Sequence, residues 1–200
     1  MNTTFSFNEL IELMQKHRMN FPENRVFIEI KDAKNVLKET LKAFLEHEGK
    51  KSYWLKEYDE VANWLSDNEG KGLFMFGNCG RGKTLLGRYV IPAILLMHEQ
   101  KIVNCYNAQE MNTKIDEVLK KKIISIDDIG TEEILVQYGN KRLAFLEVID
   151  AVEKEGKLII LTSNLNHEQI IEKYGERTMD RIIATTKRVV FTGKSLRLRV

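Results

Sequence analysis

Proline, cysteine and net charge are all scarce in this chain of 200 residues. Two prolines and twelve glycines, with no low-complexity tract and no internal repeat, exclude linker-rich and solenoid architectures. Two cysteines, Cys79 and Cys105, cannot build a disulfide framework, and His17, His47, His98 and His167 have no metal-ligand spacing with them or with one another. Lys and Arg number 31 against 29 Asp and Glu, so the net charge is +2 and any nucleic-acid contact must be local. The longest apolar run, Tyr89 to Met97, contains Pro92 and falls well short of the ~20 residues a membrane span needs. The opening Met-Asn-Thr-Thr-Phe lacks the basic-then-apolar pattern of a signal peptide, and the expectation is a soluble, cytoplasmic protein with no membrane partner. What is abundant is apolar side chains, at 43%, which fill the core of one mid-sized domain with a small appendage and exclude a disordered chain.

Residues 1–50 carry helical patterns and no clear buried strand. Ser6 and Glu9 have capping-box spacing ahead of Leu10, Leu13, Met14 and His17, which predicts an amphipathic helix over Phe7 to Arg18, ended by Asn20, Pro22 and Asn24. Asp32 is placed to cap a second helix with Ala33, Val36, Leu37, Leu41, Phe44 and Leu45 on its apolar stripe and Gly49 at its end. Between them Val26, Ile28 and Ile30 alternate as in a strand. The expectation is a detachable partner-binding segment over 1–50, the alternative being helices that pack on their own domain. From residue 51 to 200 helix and strand alternate. A helix over Leu55 to Leu65 precedes the apolar runs Leu73–Phe76, Ile102–Tyr106, Ile123–Ile126 and Leu158–Leu161, each followed by a helical stretch, and a fifth run, Arg188–Phe191. This is the pattern of an α/β fold with a mostly parallel sheet covered on both faces.

The first strand runs into Gly77-Asn78-Cys79-Gly80-Arg81-Gly82-Lys83-Thr84 and a helix opening at Leu85, a P-loop in its strand–loop–helix setting. The glycines let successive N–H groups face one phosphate chain, and Lys83 adds a mobile charge near the β and γ phosphates. Gly77, Asn78, Cys79, Gly80, Arg81, Gly82, Lys83, Thr84 and Leu85 are therefore the expected ATP contacts, with the Thr84 hydroxyl offered to Mg²⁺. The run Ile123–Ile126 ends in Asp127 and Asp128. If that strand neighbours the first, Asp127 reaches Mg²⁺ and Asp128 is left to polarise the attacking water. The run Leu158–Leu161 ends in Thr162-Ser163-Asn164, where an amide can hold a γ phosphate and a water in line. Arg177 and Arg181, four apart, share a helical face, and either could complete a neighbouring subunit's site, a contribution worth roughly 10³ to 10⁵ in rate. The alternative is a helix whose arginines pair locally with acids.

In order, GNCGRGKT, IISIDDIG, LIILTSN, YGERTMDRI and FTGKSLRLR resemble the AAA+ ATPases of the DnaC and IstB branch, helicase loaders and transposition helpers, over about Tyr53 to Val200. The resemblance implies a P-loop NTPase sheet flanked by helices, with ATP and Mg²⁺ as cofactors. It also implies a sensor role for Asn164, an inter-subunit arginine at Arg177 or Arg181, and a second phosphate-sensing arginine at Arg197. The chain stops soon after Leu198, which predicts no C-terminal lid domain. Residues 176–200 hold seven Lys and Arg against two acids, which suits either single-stranded DNA or an arginine-rich subunit interface. Cys79 reads as a small neutral filler.

The expected function is ATP hydrolysis by a DnaC-like helicase loader in DNA replication. Its partners would be single-stranded DNA, a replicative helicase or a transposase, and further copies of itself in a ring or helix. The alternatives are an IstB-like transposition helper and a non-hydrolysing nucleotide-gated adaptor, against which Asp127, Asp128 and Asn164 argue. A small-molecule kinase is disfavoured because no lid insertion separates Asn164 from Arg188.

Overall fold

A computed structural model describes residues 6–19, 24–132, 135–137 and 140–196. The first helix, α1 (Phe7–Lys16), starts where the capping box puts it: Ser6 N donates to Glu9 Oε2 at 2.9 Å and Glu9 N to Ser6 Oγ at 3.2 Å. No residue of α1 is buried. Asn20, Pro22 and its neighbours, expected to end this helix, lie outside the described residues. Helix α2 (Ala33–His47) follows Asp32, but Asp32 is left-handed (φ 51°) and its side chain caps nothing. Its other end closes in a Schellman turn, in which Gly49 N donates to Glu46 O and Lys50 N to Leu45 O.

Val26–Ile30 forms no strand, because its partners are a helix end and a turn. Buried Asn68 accepts from Ile28 N at 2.8 Å and donates to Val26 O at 2.9 Å, while Ile30 N donates to Leu65 O. Leu65 belongs to α3 (Lys56–Ser66), which leads into β1 (Gly72–Gly77). After the loop come α4 (Lys83–Leu85), a π-helical turn (Leu86–Val90) and α5 (Ile91–Glu99), continuous with one another.

Strand β2 (Asn104–Asn107) begins two residues later than the apolar run suggested, leaving Ile102 exposed. Helices α6 (Ala108–Thr113) and α7 (Ile115–Val118) lead to β3 (Ile123–Asp127). An antiparallel pair, β4 (Leu135–Gln137) and β5 (Asn140–Arg142), which the sequence patterns did not disclose, precedes α8 (Ala144–Glu155). Then come β6 (Leu158–Ser163), α9 (His167–Tyr174), α10 (Glu176–Thr185) and β7 (Thr186–Phe191).

The main sheet has the order β2-β3-β6-β1-β7, with every pairing parallel. Side chains alternate between two cores. Leu73, Met75, Leu158 and Ile160 face α2, α3 and α5, and Phe74, Phe76, Ile159 and Leu161 face α6 to α10. Burial on both faces explains why these strands read as unbroken apolar runs. Ile28, Ile30, Leu37 and Leu41 lie in the first of these cores, so packing is continuous across the division drawn at residue 50.

Between β1 and β3 lies β6. The acids of β3 are thus one strand removed from the P-loop, and the Thr162-Ser163-Asn164 end of β6 stands between them.

Candidate active site

Gly77 ends β1 at φ +111°, and a Cβ there would come within 2.5 Å of Phe191 O, so glycine alone lets the loop leave the sheet beside β7. Gly82 (φ +89°) is confined in the same way by the Tyr58 hydroxyl at 2.5 Å. That hydroxyl donates to Arg81 O at 3.0 Å, so α3 backs the loop, and burial holds the Tyr58 phenol up at about 12. From the other side, Phe191 O accepts from Asn78 N at 2.8 Å, Gly193 O accepts from Asn78 Nδ2 at 3.0 Å and Leu196 N donates to Gly80 O at 2.8 Å. The loop is therefore pre-shaped by segments distant in sequence. The first turn of α4 carries no side-chain cap, which leaves its amides for a ligand.

Lys83 is buried, and its ammonium donates to Gly77 O at 2.9 Å, Asn78 O at 2.8 Å and Asn164 Oδ1 at 2.9 Å. Burial lowers its pKa, opposed by Cys79, Asp128 and Asp127. The other end of the Asn164 amide donates to Asp128 Oδ1 at 2.6 Å. Thr162 Oγ1 donates to Asp127 Oδ1 at 2.5 Å and accepts from Asp128 N at 2.9 Å. The two acids diverge because Asp128 is left-handed (φ 63°): Asp127 stays in the sheet against Thr162, and Asp128 lines the cleft. Burial, reinforced by Asp127, raises the Asp128 carboxyl above its usual range, with Lys83 opposing.

The cleft has a volume of about 940 Å³ and runs from Lys83, Thr84, Asp128, Thr162 and Asn164 past Cys79 to Leu45, Lys50, Tyr53 and Tyr89. That is the size of a small-molecule site. Its far end is built by the C-terminus of α2, which the sequence reading had set apart from the core.

The profile of a family described as Novel STAND NTPase 3 matches residues 54–197. The chain belongs to that family. Its P-loop sheet is that of AAA+ domains. DnaA from Aquifex aeolicus, solved with AMPPCP bound, superposes with a TM-score of 0.53 at 16% identity over 73% of this chain and 50% of its own. A DnaC helicase loader superposes at 0.50 with 19% identity over 82% of this chain and 93% of its own. No curated protein matches.

Within this STAND NTPase the remaining sequence-selected residues fall into distinct places. Arg81 keeps its backbone in the P-loop, but its buried guanidinium turns away to Glu57 Oε1 at 2.6 Å and Lys194 O at 3.2 Å, leaving its Nε without a partner among the described residues. Glu57 also accepts from Thr192 N at 3.0 Å. Arg181 is paired across to α8, with Asp150 and with Glu153 at 3.0 Å. Arg177 is exposed in the first turn of α10 and has no partner among the described residues. Arg197 lies outside the described residues. The basic tail is partly neutralised, since Lys187 pairs with Glu69 at 3.0 Å.

Sequence reasoning passed over Thr162 as a site residue, although a threonine closing an apolar strand run was a usable signal. It also passed over Glu57 and Tyr58, whose role depends on contacts no spacing encodes. Among the described residues no group of three or more His, Cys, Asp or Glu side chains is arranged to hold a metal. Nor is any helix among them long and apolar enough to cross a membrane.

Proposed function

We propose that the protein is an ATPase of helicase-loader type, and that Lys83, Asp127, Asp128 and Asn164 form its hydrolytic centre. The observation that carries this reading is the Asn164 amide, which bonds Lys83 with its oxygen and Asp128 with its nitrogen. One planar group thereby fixes the distance between the phosphate-binding cation and the acid that acts on water. Nucleotide entry replaces the Lys83 contacts to Gly77 O and Asn78 O with phosphate oxygens, which suit a buried ammonium better than neutral carbonyls. The triphosphate occupies the P-loop amides, and the nucleoside extends toward Leu45, Tyr53 and Tyr89.

Thr84 and Asp127 fit Mg²⁺: they supply hard oxygens, Thr84 is exposed, and Thr162 takes up one Asp127 oxygen while leaving the other. Bound there, the ion neutralises charge on the phosphates. Asp128 accepts the proton of the attacking water while Asn164 orients it. Arg177, exposed and without a partner among the described residues, serves the site of a neighbouring copy, and Arg181 anchors the helix that carries it. Single-stranded DNA and a replicative helicase are the partners that follow from this reading.

The test is phosphate release with and without single-stranded DNA, beside titration of a fluorescent ATP analogue. Asn164→Ala should bind the analogue yet turn over about 10²-fold more slowly. Equal turnover by Asn164→Ala and wild type would overturn the assignment. Co-purification with a replicative helicase in the presence of ATP tests the partner, and its absence would favour another remodelling role.

A further inference from the structure

We propose that Glu132 and Tyr174 are positioning residues that join the Asp128 loop to the first turn of α10, so that nucleotide at the cleft sets the placement of Arg177. The roles of Asp128 and Arg177 rest on the ATPase reading, but the linkage itself stands on contacts that neither role requires.

Beyond Asp128 the chain is tied down residue by residue. Ile129 N donates to Thr162 O at 2.9 Å, and Ser163 Oγ donates to Ile129 O at 2.8 Å. Glu132 is a buried carboxylate, only 8% exposed, whose partners are specific: Oε2 accepts from Gly130 N at 2.8 Å, and Oε1 accepts from the Tyr174 hydroxyl. Lys173, the residue before, donates to Gly130 O at 2.6 Å and Glu132 O at 2.9 Å. The last turn of α9 thus grips both the backbone and the side chain of the segment that follows Asp128.

Tyr174 also faces the other way. Its carbonyl accepts from Thr178 Oγ1 at 2.8 Å, inside the first turn of α10, and its ring packs on Phe145 of α8 with centroids 4.6 Å apart. One side chain therefore bonds to the acid's loop while the same residue's backbone bonds to the helix bearing Arg177. Burial and Glu132 together push the phenol pKa well up, which keeps its proton on the donor oxygen. A buried carboxylate deprived of that donor would re-seat or draw in water, and the grip would loosen. Neither Glu132 nor Tyr174 lines the cleft, and the proposed hydrolytic centre uses neither.

Hydrogen–deuterium exchange of the full chain tests the linkage with AMPPNP as the probe. In wild type, AMPPNP should slow exchange over residues 176–181 about tenfold, the scale of an ordinary coupling between sites. Tyr174→Phe keeps the ring on Phe145 and removes one O–H, and it should abolish that response while AMPPNP affinity is unchanged. Glu132→Ala should do the same, and the double variant should be no worse than Glu132→Ala alone. A response that persists in both variants overturns the proposal. Exchange without nucleotide separates this failure from that of the ATPase reading: residues 129–132 and 176–181 should lose protection together in Tyr174→Phe. Loss in only one of the two segments sinks the linkage even if ATP is hydrolysed, whereas joint loss supports it even if AMPPNP does not bind.

Discussion

Asp128 and Lys83 face each other across one amide, and their ionisation works against folding in the same way. The Asp128 carboxyl is raised above its usual value of 3.8, so the folded protein holds that proton at pH values where the unfolded chain has released it. Above the folded pKa the carboxylate is a cost to the native state, and the cost disappears as pH falls through that pKa. Asp128→Asn should therefore raise the melting temperature at about pH 7, and the gain should vanish at about pH 4. Thermal denaturation at both values checks this, and a lower melting temperature at neutral pH would contradict the burial argument. In the proposed mechanism, where the carboxylate acts on water and not on nucleotide, the same variant should bind ATP and fail to turn it over. Lys83→Ala should lose ATP binding itself, which titration of a fluorescent analogue separates from loss of turnover.

The helix after the P-loop shows how an element accommodates a residue that ought to break it. Pro92 has no N–H, so in an α-helix the Arg88 carbonyl would lose its partner. The π turn moves the bond pattern by one residue, with Ile91 N donating to Leu86 O, and the carbonyls left over turn to the sheet. Gly87 O accepts from Ser125 Oγ at 2.7 Å, and Arg88 O lies 3.6 Å from Cys105 Sγ. Cys105 and Ser125 are cross-strand partners of β2 and β3, so two adjacent strands back this turn. Ser125→Ala should cost about 1–3 kcal/mol in urea denaturation, the penalty of a buried carbonyl left unpaired. In a Pro92→Ala background, where an N–H is restored, the same substitution should cost less. Equal costs in the two backgrounds would mean that the proline is not what frees the carbonyl. A second contrast concerns the N-terminal helices. Removing residues 1–19 takes away α1, none of whose residues is buried, and should leave melting temperature and nucleotide affinity unchanged. Leu41→Ala in α2 should cost about 2–5 kcal/mol, as for any fully buried leucine. Removal of 1–50 should yield insoluble protein.

Taken whole, the molecule presents Arg177 at its surface and commits Arg181 to α8. A finger acting in trans needs a head-to-tail contact, which generates rings or helices and not a two-fold dimer. Specific ATPase activity should rise with protein concentration. Mixing Arg177→Ala subunits with Lys83→Ala subunits should recover activity that neither has alone, because mixed assemblies contain some complete sites. Arg181→Ala should lower the melting temperature by breaking its pairs to Asp150 and Glu153. Failure of the mixture to recover activity, with assembly confirmed by light scattering, would place catalysis within one chain.

The central strands β1, β3 and β6 were legible because each is buried on both faces and reads as an apolar run, whereas the edge strands β2 and β7 are partly exposed, and the P-loop was legible because its glycines occupy fixed spacings in a strand–loop–helix frame. Neighbours close in sequence carried their own signal, as in the Ser6–Glu9 capping box. What spacing does not encode is strand order. Placing β6 between β1 and β3 is what brings Asn164 against both Lys83 and Asp128 and gives Thr162 its grip on Asp127. Amphipathic periodicity likewise shows that a helix has an apolar face but not which surface covers it, so α1 and α2 look alike until packing buries Leu37 and Leu41 and leaves Leu10 and Leu13 exposed. The division of labour between Arg177 and Arg181 has the same origin. They sit on one helical face, and only the approach of α8 brings Asp150 and Glu153 to Arg181, while Arg177 has no partner among the described residues.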